Sequence, residues 1–164
     1  ARVSITAYID RAEKSGAKIL LDGRKAVPPK GLEKGFYIGP TLIEAKPGSE
    51  IAVEENFGPV LTVLHAKNLT EAIEIANSSQ YGNGGSIFTQ NGRSAEIFCD
   101  TIQAGMVGVN VGVPVPREPF SFGGWKNSIT GTGDITGKSS VRFWTKIKKI
   151  TQKWNPETKK NWMS

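Results

Sequence analysis

The sequence predicts an α/β fold built on parallel strands. Between residues 60 and 110, apolar runs typical of strands alternate with two stretches whose apolar spacing is helical. Consecutive strands joined through helices pair in parallel with right-handed crossovers, and this order is the main evidence for the fold class. The length of 164 residues and the 38% hydrophobic content are sufficient for one core. No apolar run reaches the roughly 18 residues of a membrane span, so we expect no membrane partner.

The first sixty residues are predicted to begin with an amphipathic helix. Residues 1–15 carry apolar side chains at helical spacing, and Gly16 is placed to end the helix. The predicted buried face consists of Ile5, Tyr8, Ile9 and Ala12. Three short strands are expected after this helix, at residues 18–21, 36–38 and 41–43.

Two further helices are predicted between a strand at residues 60–65 and residue 110. Asn68 followed by Glu71 is a capping-box arrangement that starts the first of them. Its buried face is expected to consist of Ala72, Ile73 and Ala76. Residues 81–85 are rich in glycine and are predicted to form a turn. The remaining predicted elements are a strand at 86–89, a helix that begins at Asn91, carries Ala95, Phe98 and Ile102 and ends at Gly105, and a strand at 106–110.

The last third of the chain is predicted to be mostly irregular. Residues 111–137 form a long loop rich in glycine, proline and aromatic residues, and a loop of this length inside a compact domain is usually functional. A helical turn is predicted at 140–144 and a charged final strand at 146–151. Residues 155–164 are predicted to be a disordered end.

The net charge of +6 is a property of one end of the chain. Residues 138–160 contain eight Lys or Arg and one Glu, a net charge of +7, so the remainder carries −1. Phe143, Trp144 and Trp154 lie within this basic run, and basic residues interleaved with aromatic ones can bind nucleic acid. Charged edge strands are also a way in which sheets avoid unwanted pairing. We favour this second interpretation and expect no nucleic-acid partner.

Cys99 is the only cysteine of the sequence and His65 the only histidine. A single cysteine forms no internal disulfide, which is consistent with a reducing, cytoplasmic location. Neither residue has the spacing of a metal site, so no metal is expected. Cys99 lies in a predicted helix between Phe98 and Asp100, and we assign it to core packing.

Residues 54–60, with the sequence EENFGPV, are the strongest candidate for a ligand-binding segment. Pro59 prevents a helix, so Glu54, Glu55 and Phe57 are expected on a hairpin-like corner at one end of a sheet, where ligands can bind. A carboxylate there can accept hydrogen bonds from two ribose hydroxyls, and an aromatic side chain can pack against a flat heterocycle. The alternative is a solvated turn with an exposed acidic pair, since such pairs are common on surfaces.

Five motifs, in this order, resemble the C-terminal part of the aldehyde dehydrogenase superfamily. They are FYIGPT at 36–41, EENFGPV at 54–60, Tyr81-Gly82, Ala104-Gly105 with Val109-Asn110, and Phe122-Gly123-Gly124. Residues 113–116, 120–123 and 133–134 look most like methylmalonate- or malonate-semialdehyde dehydrogenases, which form acyl-CoA. The resemblance implies a C-terminal portion of a parallel-sheet α/β catalytic domain at residues 1–138, an oligomerisation segment with a final strand at 139–154, and a tail at 155–164.

The resemblance also implies roles for individual residues. Glu55 would bind the nicotinamide ribose of NAD and Phe57 would contact the nicotinamide ring, while Phe120 and Phe122 would line the aldehyde tunnel. Asn110 would have a structural role. In the family's reaction a thiolate attacks the aldehyde, hydride passes to NAD, and the thioester passes to CoA or to water. The family's nucleophile, general base and Rossmann-like domain lie upstream of these motifs, so no catalytic residue is assigned here and the chain alone is expected to be inactive.

Two functional hypotheses follow from the resemblance. In the first, the chain is part of an NAD-dependent semialdehyde dehydrogenase that acts on a small aldehyde and assembles as a homodimer or homotetramer. In the second, the chain is a truncated relative without catalysis. It would then act as an interaction or oligomerisation module and pair its last strand with a full-length subunit.

Overall fold

The computed structural model describes residues 1–117 and 119–154 and combines helices with short strands. The helices are α1 (Arg2–Lys14), α2 (Glu50–Val53), α3 (Leu69–Asn77), α4 (Gly92–Thr101) and α5 (Ser140–Trp144). The strands are β1 (Lys18–Leu21), β2 (Thr41–Glu44), β3 (Val60–Val63), β4 (Tyr81–Gly82), β5 (Gly84–Ile87), β6 (Met106–Val109) and β7 (Trp125–Lys126). The predicted α/β class is confirmed. None of the described helices has both the length and the apolar character needed to cross a membrane.

Within the described residues, the strands form three small sheets rather than one. β2 lies between β1, which is antiparallel to it, and β3, which is parallel to it. β5 pairs in parallel with β6, and β4 pairs antiparallel with β7. The predicted parallel pairing across α4 is therefore correct, whereas the prediction that β3 belongs to the same run of parallel strands is wrong. Periodicity locates strands, but contacts between residues distant in the sequence decide which edges pair.

α1 packs its apolar face against β2 and α2. The side chains that form this buried cluster are Ile5, Tyr8, Ile9, Ala12, Ile43 and Ile51. Ile9 and Ile43 are completely buried, and burying one side chain of this size contributes about 1.5–3 kcal/mol. The predicted buried face of the first helix is confirmed.

α1 ends as the sequence predicts, through a glycine. Gly16 has a φ of +91°, in the left-handed region that glycine adopts without steric cost. Its N–H donates to the carbonyl of Glu13, and the N–H of Ala17 donates to the carbonyl of Ala12, both at 3.0 Å. These two bonds form a Schellman motif, which satisfies carbonyls that the helix itself leaves free.

α3 and α4 both begin at asparagine caps. Asn68 Oδ1 accepts the N–H of Glu71 at 2.9 Å, and the Glu71 carboxylate accepts the N–H of Lys67 at 2.6 Å. Asn91 Oδ1 accepts the N–H of Ser94 at 3.0 Å. Both helices therefore start where the local sequence predicts, because the caps satisfy main-chain donors within the first turn.

α3 and α4 share a second buried cluster with the end of the α4–β6 connection. Its members are Ile73, Phe98, Ile102 and Ala104, with Leu69 and Ile87 packed against them. Ala72 and Ala76 are exposed, so the prediction that they are buried is wrong. On α3 the contact with this cluster is centred on Ile73, and the two alanines lie at the margin of that contact.

α4 ends at Thr101 rather than at the predicted Gly105. Asn77, at the end of α3, donates from Nδ2 to the carbonyl of Thr101 at 2.9 Å and accepts the N–H of Gln103 at Oδ1 at 2.7 Å. These bonds satisfy main-chain groups that a longer helix would pair internally. A contact between the two helices thus decides the boundary.

Two glycine-containing stretches differ from their predictions. Residues 36–38 have no regular structure, although a strand was expected; the N–H of the adjacent Gly39 donates to the carbonyl of Gly23 at 2.9 Å, which holds this part of the chain to the turn at Gly23–Lys25. Residues 81–85 contain β4 and the start of β5 rather than a turn. A Cβ at Gly82 would lie 2.5 Å from the carbonyl oxygen of Gln103, so this glycine allows close packing of main chains.

The end of the described chain is largely irregular. Residues 111–137 form the expected long loop apart from β7, and α5 occupies the predicted helical turn. Residues 146–151 have no regular structure, so the predicted final strand is absent from this chain, and Ile147 and Ile150 are 78% and 70% exposed. A strand needs a hydrogen-bonded neighbour, and no described residue provides one here. The predicted tail at 155–164 lies outside the described residues.

Candidate functional site

The candidate cofactor site lies at residues 54–59, between α2 and β3, and we call these residues the corner segment. β2 and β3 are parallel, with Thr41 opposite Val60, so the corner segment is part of a crossover and the predicted hairpin-like corner is wrong. The segment lies at the amino ends of β2 and β3. Ligands in open α/β sheets bind beyond the carboxyl ends, so sheet topology alone does not indicate a ligand here.

Main-chain hydrogen bonds hold the corner segment in place. The N–H of Gly58 donates to the carbonyl of Asn56 at 2.9 Å, and the N–H of Val60 donates to the carbonyl of Gly58 at 2.8 Å, which makes two consecutive three-residue turns. The carbonyl of Pro59 accepts the N–H of Thr41 at 2.8 Å. The segment is therefore tied to the first residue of β2.

The two adjacent glutamates of the corner segment have different surroundings. Glu54 Oε2 lies 3.8 Å from Arg11 Nη2. Glu55 is exposed, and no described residue forms an ion pair with its carboxylate. Phe57 is 86% exposed and, together with Glu55 and residues of α1, lines a cavity of about 370 Å³. A carboxylate free to accept two hydroxyl hydrogen bonds therefore lies beside an accessible aromatic ring.

Three polar residues of α1 line this cavity, and sequence periodicity identified none of them as functional; they are Ser4, Tyr8 and Arg11. Tyr8 is only 7% exposed, but its hydroxyl donates to the main-chain carbonyl of Glu54 at 3.1 Å. Arg11 Nε donates to Glu50 Oε1 at 2.8 Å, and its guanidinium lies 5.5 Å from the centre of the Tyr8 ring. Burial raises the pKa of Tyr8, and the negative charges of Glu54 and Glu50 raise it further. One feature of the sequence could have indicated the role of Tyr8. It is a tyrosine on an otherwise aliphatic buried face, and a buried hydroxyl needs a hydrogen-bond partner.

The predicted substrate residues lie elsewhere on the chain and differ in exposure. Phe122 is partly buried, its N–H donates to Thr136 Oγ1 at 2.8 Å, and it lines a cavity of about 230 Å³ with Asp134 and Phe143. Phe120 is 71% exposed and lines neither this cavity nor the one at the corner segment. The structure brings Glu55 and Phe57 together, but it does not join them to Phe120 and Phe122 in one cavity. The roles of these four residues remain predictions.

Asn110 starts the loop that leads to the two phenylalanines. Its φ is +58°, in the left-handed region that asparagine tolerates better than most residues. Its Oδ1 accepts the N–H of Thr89 at 2.9 Å and its Nδ2 donates to the Thr89 carbonyl at 3.0 Å. The side chain thus extends the β5–β6 pairing by one residue, which agrees with the predicted structural role.

Cys99 is exposed on α4, so its assignment to core packing is wrong. Its neighbour Phe98 takes the buried position on that helix instead, and Cys99, the next residue around the helix, faces away from the cluster that Phe98 joins. His65 Nε2 lies 3.4 Å from Glu44 Oε1 at the surface. Across residues 1–117 and 119–154, no group of three His, Cys, Asp or Glu side chains could hold a metal ion.

The sequence matches a described protein family over most of its length. A family model described as the aldehyde dehydrogenase family matches residues 1–150. A malonate-semialdehyde dehydrogenase of Pseudomonas aeruginosa is 46% identical over 155 residues, which cover 94% of this chain and 31% of that protein. The human mitochondrial methylmalonate-semialdehyde/malonate-semialdehyde dehydrogenase, named as acylating, is 46% identical over 158 residues, which cover 96% of this chain and 29% of that protein.

Solved structures give the same result. The crystal structure of a methylmalonate-semialdehyde dehydrogenase from Oceanimonas doudoroffii superposes with a TM-score of 0.84 at 44% identity and covers 94% of this chain and 32% of that one. A Mycobacterium tuberculosis aldehyde dehydrogenase complexed with NAD⁺ superposes with a TM-score of 0.75 at 34% identity and covers 88% of this chain and 29% of that one. The chain therefore spans about a third of the length of the relatives that it matches.

Proposed function

This chain belongs to the aldehyde dehydrogenase family, and we propose that it forms the C-terminal part of an NAD-dependent semialdehyde dehydrogenase of the methylmalonate or malonate type. The observation that carries the proposal is the carboxylate of Glu55, which forms no ion pair within the described residues and lies beside the exposed ring of Phe57, at a cavity bounded by α1. Glu55 holds the nicotinamide ribose, and Phe57 contacts the nicotinamide ring. The names of the similar proteins support the substrate class.

The residues at the corner segment fit one part of NAD. A single carboxylate can accept hydrogen bonds from both ribose hydroxyls, and Glu55 is accessible for this because the neighbouring Glu54 is the one that faces Arg11. When bound, NAD accepts the hydride that leaves the substrate. The contribution of this chain is orientation, since a fixed ribose limits the positions that the nicotinamide ring can take relative to the hydride donor.

The substrate side of the reaction involves the loop after Asn110. We assign Phe120 and Phe122 to the path of the aldehyde, where exposed and half-buried aromatic rings can pack against a small organic substrate. The nucleophilic cysteine, the general base and the Rossmann-like domain belong to the remainder of the subunit. The acyl group leaves to CoA or to water, and the acylating name of the human relative supports CoA.

The surface of the chain supports its place in a larger unit. It exposes 13,133 Å², whereas a compact monomer of 17.7 kDa exposes about 7,900 Å². Val107 and Val109 on β6 are still more than a third exposed, although parallel strands are normally covered on both faces. On the family resemblance we propose that residues 1–138 are part of a catalytic domain, 139–154 an oligomerisation segment and 155–164 a tail, in a subunit of a cytoplasmic homodimer or homotetramer.

The experiment that tests this proposal replaces Glu55 by Gln in the full-length subunit. Glutamine preserves the shape but weakens acceptance from the ribose hydroxyls, and a hydrogen bond to a charged group contributes about 1.5–3 kcal/mol, so hydride transfer is expected to slow roughly 10- to 100-fold. The rate is measured by the appearance of NADH in single-turnover experiments. Thermal unfolding of the same protein is expected to change little.

Glu54→Gln is the matched control, because the two residues are adjacent and both are exposed. Its carboxylate faces Arg11 rather than the open cavity, so this variant is expected to transfer hydride at close to the normal rate. The proposal is contradicted if Glu55→Gln leaves both NAD affinity and hydride transfer unchanged. It is also contradicted if Glu54→Gln slows hydride transfer as much as Glu55→Gln does. In either case the interpretation of the corner segment as a solvated acidic turn is preferred.

A second candidate function is a truncated relative that lacks catalysis and serves as an interaction or oligomerisation module. It is favoured by the exposed apolar side chains of the last described residues, among them Ile147, Ile150 and Trp154. Mass spectrometry of the protein isolated from its source distinguishes the two. A subunit about three times as long as this chain supports the enzyme, and a mass near 17.7 kDa supports the module.

A further inference from the structure

Two side chains of α1 fasten the corner segment on either side of Glu55. The Tyr8 hydroxyl donates to the main-chain carbonyl of Glu54 at 3.1 Å, across 46 residues of sequence. Ile5 lies against Gly58, where a Cβ would come within 2.6 Å of the Ile5 Cδ1 atom. Both α1 residues are only 7% exposed, so they belong to a packed surface that gives the corner segment a rigid support.

The carbonyl that Tyr8 holds belongs to the peptide unit that joins Glu54 to Glu55. A peptide unit is planar, so its oxygen, its nitrogen and the Cα of Glu55 move together. Fixing the oxygen therefore restricts the rotation of this plane, and with it the direction in which the Glu55 side chain leaves the main chain. A contact to the residue before Glu55 can in this way set the position of a carboxylate that Tyr8 does not touch.

The surroundings of Tyr8 make it a constant donor. Its pKa is raised by burial and by the charges of Glu54 and Glu50, so the hydroxyl keeps its proton over the physiological range. Arg11 covers the ring and pairs with Glu50 at 2.8 Å and with Glu54 at 3.8 Å. Arg11 thus directs the Glu54 carboxylate towards α1 and leaves Glu55 as the accessible acid.

We propose that Tyr8 is a positioning residue for cofactor binding, which holds the Glu54–Glu55 peptide so that the Glu55 carboxylate faces the ribose. This inference rests on the role proposed for Glu55. It assigns to α1, a helix whose sequence indicates only core packing, an influence on the affinity of the subunit for NAD. In this role Tyr8 acts through the Glu54–Glu55 peptide rather than as a ligand of the cofactor.

The test is Tyr8→Phe in the full-length subunit, which removes one hydroxyl and leaves the buried ring. The dissociation constant and the KM for NAD are expected to rise about fivefold, the effect of one ordinary hydrogen bond, while the KM for the aldehyde stays unchanged. Ser15→Ala is the matched control, because Ser15, just after the last residue of the same helix, donates from Oγ to the Ala12 carbonyl at 2.8 Å without contacting the corner segment. This control is expected to leave both KM values unchanged.

The double variant Tyr8→Phe/Glu55→Gln separates the possible failures. If Tyr8 acts through Glu55, the double variant binds NAD no more weakly than Glu55→Gln alone. The inference would be overturned if the two substitutions weaken NAD binding independently, so that their effects multiply in the double variant. It would also be overturned if Tyr8→Phe binds NAD as Ser15→Ala does while Glu55→Gln is impaired. In both cases the role of Glu55 stands. No effect of Glu55→Gln would overturn that role and the inference together.

A second pair of variants applies if Tyr8→Phe does not fold. Tyr8→His keeps a ring with a hydrogen-bond donor and is expected to bind NAD more tightly than Tyr8→Leu. Equal NAD affinities of these two variants would contradict the inference.

Discussion

Arg24 connects the short turn after β1 to α1 through three carboxylates. Its Nε lies 2.8 Å from Asp22, its Nη1 2.5 Å from Asp10 and its Nη2 2.8 Å from Glu13. The side chains of Arg24 and Asp22 are only 18% and 15% exposed, so this pair is better shielded from water than an ordinary surface ion pair. Hydrogen bonds from Arg24 lower the pKa of Asp22 from 3.8 to about 2, against the opposing effect of burial.

The lowered pKa of Asp22 predicts how stability depends on pH. Because the folded state holds the carboxylate ionised, its contribution is complete above about pH 4 and is lost as the pH falls from 4 towards 2. A shift of nearly two pKa units corresponds to about 2 kcal/mol at neutral pH. Asp22→Asn is therefore expected to lower the free energy of unfolding by about 1–2 kcal/mol at pH 7 and by almost nothing near pH 2.

Urea unfolding at several pH values, followed by circular dichroism, measures this difference. Asp100→Asn is the matched control, since Asp100 is exposed on α4 and forms no ion pair with the part of the chain that the structure describes. The linkage to Arg24 would be contradicted if Asp22→Asn lowers the free energy of unfolding by the same amount at pH 2 and at pH 7.

At the scale of elements, several strands have an edge or a face without a partner among residues 1–117 and 119–154. There, β3 has a neighbour on one side only, and Leu61 within it is 61% exposed. Residues 146–151 have apolar residues at two positions, but they have no hydrogen-bonded neighbour within the described residues and form no strand. Such a segment becomes a strand only when another edge is supplied, by the same subunit or by a second one.

We predict that residues 146–151 take part in subunit assembly. Deleting everything after Trp144 in the full-length subunit is expected to give smaller and less stable assemblies, because the stability of an obligate oligomer depends on such edge pairing and on protomer concentration. Sedimentation or light scattering measures the mass of the assembly. Removal of residues 155–164 alone is the control and is expected to leave the oligomer intact; an unchanged oligomer after the longer deletion would rule out the assembly role.

At the scale of the whole molecule, the two buried clusters belong to different sets of elements. One joins α1 with β2 and α2, and the other joins α3 with α4. A surface of 13,133 Å² is far larger than a compact protein of this mass exposes, so much apolar area is left for other chain segments to cover. A segment that is only part of a subunit can still help to orient a cofactor. Covalent catalysis, in contrast, needs a nucleophile and a base within reach of the same substrate atom.

The 164-residue chain alone is predicted to have no aldehyde-oxidising activity. Its one cysteine is exposed on α4, and within the described residues no His, Asp or Glu side chain is paired with it as a general base. The purified chain is assayed with NAD, CoA and several semialdehydes, with the full-length subunit as the positive control. Turnover that persists through purification and disappears in Cys99→Ser would show that the nucleophile lies in this chain.

Sequence alone determined the features that depend on neighbours within about four residues. The apolar face of α1, its glycine-terminated end, the asparagine cap of α3 and the start of α4 at Asn91 were all predicted correctly, because helix spacing and capping are local interactions. The glutamate pair was also identified as a candidate site from local chemistry, and family motifs supplied the expected cofactor.

Tertiary structure decided the features that depend on distant residues. Arg11 on α1 distinguishes Glu54 from Glu55, Asn77 ends α4 at Thr101, and the parallel pairing of β2 with β3 makes the corner segment a crossover. Residues 146–151 remain without a strand because their predicted partner is not among the described residues. Side-chain periodicity indicates which face of its own element a residue occupies. Which of two adjacent glutamates is accessible, and which strand edges pair, depends instead on contacts between residues tens of positions apart.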